Sequence, residues 1–183
     1  MIDSEKRATH CSEKAKMIST IRRMVLLVSL MFWQGGFMFY GGVVVPVGAQ
    51  VLGSETQQGF ITQSVTKYLN LIGTVCLVVW LEHLWHSRRS GVSAAEWGIW
   101  CFAAITLIGL TVIHFQMDRI LVAETTSVSD PKQFDLLHKM YIGTSSLQWL
   151  ASLGMLFLAL RRWSRQDTKS ASIPGVVAKN LAS

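Results

Sequence analysis

Four apolar stretches decide what this chain can fold into. Residues 24–47, 65–85, 97–117 and 141–160 are each about as long as a helix must be to cross a bilayer. An α-helix rises about 1.5 Å per residue, so roughly 30 Å of hydrocarbon takes about 20 mostly apolar residues. In that solvent a segment has to satisfy its own backbone hydrogen bonds, which a helix does without help. The expected fold is therefore all-α: a four-helix transmembrane bundle over residues 24–160, flanked by tails at 1–23 and 161–183.

Charge supplies the orientation. Charged residues make up 15% of the chain, mean hydropathy is +0.36, and the charges lie almost wholly outside the four stretches. Little length is left for a soluble domain. Of 17 Lys and Arg, residues 1–23 hold six, the second connection (87–96) two and residues 161–183 five, whereas the first and third connections with their flanks hold only Lys67, Arg119, Lys132 and Lys139. Positive residues collect on the cytoplasmic side, so both termini are expected inside, in a bacterial inner membrane. The net charge of +6 is then a membrane feature and not a nucleic-acid one; the basic tails (Lys14, Lys16, Arg22, Arg23; Arg161, Arg162, Arg165) are placed to meet anionic headgroups. The first apolar stretch exceeds the 7–15 residues or so of a signal-peptide core and is expected to be retained.

Local signals divide the chain further. Gly35-Gly36 and Gly41-Gly42 offer close approach to a neighbouring helix, and Pro46 is expected to bend or end the first helix. Ser54 with Gln57 has the form of a capping box opening the second helix ahead of its membrane portion, and Asn70, Gly73 and Thr74 form a small, polar face expected to point inward. Trp80, Trp85, Trp97, Trp100 and Trp163 read as an aromatic girdle on the cytoplasmic side, with Tyr40, Tyr68 and Tyr141 toward the other. Asp130-Pro131 marks a helix start inside the last connection. Cys11, Cys76 and Cys101 have neither metal-clip spacing nor an oxidising surrounding; the two in spans are expected to be small buried residues.

Chemistry-bearing residues gather in three places. His114 and Asp118 share a face at the end of the third span, and Asp135 and His138 open the fourth; if the four converge, imidazole nitrogen and carboxylate oxygen suit a divalent transition metal. His138 also begins a stripe through Tyr141, Ser145, Gln148 and Ser152, which either cements the bundle or lines a polar path. Glu82, His83 and His86 lie at the opposite end. Nucleophile elbows, phosphate-binding glycine loops and zinc-protease motifs are absent from the sequence, and no enzyme activity or cofactor is expected.

Two segments carry a resemblance. The segment FYGGVVVPVGAQVL from Phe39 with Gln58-Gly59-Phe60, and FDLLHKMYIGTSSLQWLASLG from Phe134, resemble the small four-span membrane family of unknown function that includes bacterial members and the eukaryotic transmembrane protein two-hundred-five group. The second contains that family's F-x-x-L-H followed by Ser and an Asn or Gln, here Gln148. The resemblance implies four helices and supplies no activity. Two functions are therefore expected to compete. One is a non-catalytic scaffold or assembly partner, in contact with lipid, other membrane proteins or its own copies; the other is a small-solute or metal-ion transporter using His114, Asp118, Asp135 and His138.

Overall fold

A computed structural model describes residues 2–88, 91–122 and 127–172. They are helical apart from short connections and one two-residue antiparallel pair. Helix α1 (Ile2–Phe39) runs through a π-helical turn (Tyr40–Val44) into α2 (Val45–Leu52); α3 (Glu55–Ser87), α4 (Ala94–Ile120) and α5 (Pro131–Ser172) follow. Strands β1 (Leu121–Val122) and β2 (Ser127–Val128) pair antiparallel between α4 and α5. The α1–α2 rod, α3, α4 and α5 are each long and apolar enough to cross a membrane.

The helices start and stop where side chains can serve their free backbone groups. Gly53, at φ 62, ends α2 in the left-handed conformation that costs glycine least. Ser54 Oγ then accepts the Gln57 amide at 3.3 Å and opens α3. At α4, Glu96 Oε2 accepts from the Ser93 amide at 2.9 Å while Ser93 Oγ accepts the Glu96 amide at 3.3 Å, a reciprocal capping box. Asp130 Oδ1 accepts the amides of Lys132 and Gln133 before α5.

Pro46 neither ends nor sharply breaks its helix. It has no N–H to give the Gly42 carbonyl four residues back, and the ladder widens by one residue just before it. The Val45 amide donates to the Tyr40 carbonyl, five residues back, and α-helical geometry then resumes to Leu52. Helices also outrun the roughly 30 Å of a bilayer core: α5 has 42 residues, about 60 Å at 1.5 Å each. Of the last connection, only residues 121–130 lie outside α4 and α5.

In a lipid surrounding, as apolar as leucine, such a bundle coheres by packing and not by the hydrophobic effect. Ala103, Ala151, Ser152 and Ala159 are nearly fully buried, and small side chains of this kind let α4 and α5 approach closely. Trp33 of α1 lies against Gly73 of α3, where a Cβ would come within 2.5 Å of the indole. Of the glycines expected to receive neighbours, Gly36 meets Leu69, while nothing approaches the Cβ positions of Gly35, Gly41 and Gly42. Thr74 faces outward and bonds its own Asn70 carbonyl. Large apolar side chains cover the outside, among them Ile105, Ile108, Val112 and Phe115 on α4. A water-soluble monomer rarely exposes so continuous an apolar surface.

Candidate functional site: polar clusters along the bundle

At the end of the bundle where α4 meets α5, a small core of Ile113, Ile120 and Leu137, with Met117, Phe134 and Tyr141 packed on it, sets the phase of α5. With Phe134, Leu137 and Tyr141 packed inward, Asp135 points away from them, and His138, one turn from Phe134, stays exposed at the rim of the same face. Asp135 accepts from Lys139 Nζ at 2.7 Å, and His138 stacks on Phe134 with ring centroids 6.2 Å apart. On α4, Asp118 lies 3.0 Å from Lys67 Nζ of α3 and 3.5 Å from His114 Nε2, the latter pair without hydrogen-bond geometry. Of the four residues singled out for metal, His114 and Asp118 lie side by side, while Asp135 and His138 are engaged by Lys139 and Phe134 of their own helix. Among the described residues no group of three or more His, Cys, Asp or Glu side chains is arranged to hold an ion.

The stripe on α5 divides by depth. Tyr141 is half-buried, its hydroxyl toward Thr66 but short of hydrogen-bond geometry, and Ser145 bonds the Ile142 carbonyl of its own helix. Gln148 and Ser152 are buried and reach across. Gln148 Oε1 accepts from Thr106 Oγ1 at 2.7 Å and its Nε2 donates to the Ala103 carbonyl at 3.1 Å, so both ends of one amide hold α4. Gln34 Nε2 of α1 donates to Ser152 Oγ at 2.8 Å. The space that Gln34, Asn70, Ser145 and Gln148 border is about 10 Å³, at the lower limit for one water molecule.

The most connected polar cluster lies at the far end, where the sequence shows only Glu82, His83 and His86 close together. Arg162 of α5, buried, sits 3.0 Å from Glu96 of α4 and donates through Nη2 to His83 Nε2 of α3. Because guanidinium can only donate, His83 Nε2 is the acceptor and the ring proton belongs on Nδ1. Trp80 and Trp163 hold the imidazole edge-on at 6.4 and 6.1 Å. These two indoles are buried, so the aromatic girdle is reduced on this side: Trp85 is exposed, while Trp100 donates to the Leu77 carbonyl. Arg22 of α1 reaches Glu82 Oε1 at 3.4 Å and the His83 carbonyl at 3.3 Å, and Arg23 grips both carboxylate oxygens of Asp167 at 2.8 and 2.9 Å. All four rods meet here. His86 is exposed, Cys76 is buried beside Ser29, and Cys101 is exposed; the Cys11 side chain lies outside the described residues.

The chemistry available is cohesive. Four charged pairs and one neutral imidazole are spent between helices, and the Arg162–Glu96 contact is ionic without being a linear hydrogen bond. No protein-family model, characterised protein or solved structure matches this chain.

Proposed function

We propose that this protein is a non-catalytic multi-pass membrane bundle that acts as a structural or assembly partner, with both tails in the cytoplasm of a bacterial inner membrane. The observation that carries the reading is the use made of Gln148. A buried amide that lined a solute path would keep a polar edge toward an opening; here both edges are engaged by α4 beside a space about the size of one water. Topology rests on the bias of Lys and Arg toward the tails and the second connection. Membership of the four-span family rests on the two segments quoted above, one of which contains Gln148. Association with its own copies or another membrane protein is supported by the unused approach at Gly35, Gly41 and Gly42.

The test is to purify the full chain, measure its metal content, and reconstitute it in sealed vesicles. The scaffold reading expects less than stoichiometric metal and no protein-dependent flux of divalent cations. Gln148→Ala is expected to lower resistance to unfolding by about 1–2 kcal/mol, the scale of interhelical hydrogen bonds in membranes. Stoichiometric metal or cation flux that disappears in His114→Ala would overturn it in favour of the transport reading.

A further inference from the structure

A cleft of about 440 Å³ opens beside the Arg162 cluster, between the start of α4 and the last turns of α5. One wall carries Ser93 and Ala95; the other carries Arg161, Arg162, Arg165 and Lys169. The volume falls within the roughly 300–1,000 Å³ of small-ligand sites. Its charge is strongly one-sided. The acid on its lining, Glu96, is already committed to Arg162 and Ser93, while Arg161 and Arg165 are exposed and have no acidic partner among the described residues. Arg162, nine-tenths buried, lines the same cleft and has an Nε without an acceptor among the described residues.

Two further features select the ligand. The α4 capping box uses the Ser93 and Glu96 amides and leaves those of Ala94 and Ala95 without acceptors among the described residues, at the positive end of a 27-residue helix. Guanidinium forks beside such an end match a phosphate. Leu158 lies on the cleft wall, and Phe157 and Leu160 are exposed on the same stretch of α5, 62% and 47% accessible. A ligand seated here meets cations at its head and an apolar helix face behind it. We propose that the cleft is a binding site for the phosphate headgroup of an anionic phospholipid, held by Arg161 and Arg165 with its acyl chains along α5. The assignment rests on the membrane reading above only in taking this end of α5 to lie at the bilayer surface.

The experiment titrates the purified full chain in zwitterionic detergent with phosphatidylglycerol, phosphatidylcholine or inorganic phosphate, and counts bound ligand by native mass spectrometry. Phosphatidylglycerol is expected to bind at least about tenfold more tightly than phosphatidylcholine, and Arg161→Gln with Arg165→Gln to weaken it roughly 25-fold, about fivefold per charge. The same double variant should melt like the parent in lipid-free detergent, since neither side chain holds another helix, and Arg119→Gln at the other end of the bundle should bind like the parent. Equal binding of the two lipids, or equal loss in Arg119→Gln, would overturn the site. Inorganic phosphate displacing phosphatidylglycerol at matching concentration would overturn the lipid assignment and make the ligand a free anion. A protein that needs no detergent to stay in solution would instead refute the membrane reading, independently of phosphate binding.

Discussion

Arg162 shows how a charge becomes structural. Burial strips it of water, and Glu96 and His83 replace part of that hydration. Removing one partner of such a pair leaves the other uncompensated and costs about 3–5 kcal/mol. Glu96→Gln, which keeps the helix cap, is accordingly expected to destabilise strongly, whereas Glu96→Gln combined with Arg162→Met should regain all but about 1 kcal/mol; unfolding in mixed detergent micelles measures the cycle. Glycine offers a second contrast at the same scale. Gly73→Ala drives a Cβ into the rigid, buried Trp33 indole and should cost about 1–3 kcal/mol, while Gly154→Ala meets only the flexible end of Ile99 and should be nearly neutral. None of this is written in residue types alone. Arg161 and Arg162 are adjacent and identical in the sequence, and which one is buried depends on the phase of α5 against α3 and α4. Trp80 and Trp163 illustrate the same blind spot: an aromatic near a span end suits a headgroup belt and a helix interface equally well.

Among elements, the four spans were legible, and helix ends only where a cap marks them. Four runs of about 20 apolar residues can be little else than spans, but helical structure continues wherever local pairs sustain it, as Asp135 and Lys139 do at the start of α5. For the same reason much of the last connection is helix. The capping residues Ser54 and Asp130 announced their helices, because the hydrogen bonds they make are local. That Asp135 and His138 find their partners on their own helix could not be read, since it depends on which face Leu137 presents. The π-helical turn yields a test at this scale. Deleting Gly42 removes the extra residue and should restore an ordinary α register, leaving α2 in place. Deleting exposed Val28 instead rotates everything after it by about 100° and should swing Trp33 out of the core. Membrane yield and melting temperature are expected to survive the first deletion and collapse in the second; equal damage from both would show that the widened turn is needed for more than register.

For the whole molecule, the decisive measurement is which side each end occupies. In a background lacking the native cysteines, a thiol at Ser127 is expected to react with an impermeant reagent from outside the cell, and thiols in either tail only after the membrane is opened; the reverse pattern would invert the topology. The clasp between Arg23 and Asp167 has a different kind of consequence, for the order of manufacture. Its two halves are 144 residues apart, on the helices made first and last of the four rods. Until the last helix emerges, Arg23 has no carboxylate to grip and α1 lacks the donor acceptor pair that Gln34 makes with Ser152. The first helix must therefore wait in the membrane, incompletely docked, for the fourth. Nascent chains stalled before residue 152 are expected to be open, and readily degraded, intermediates.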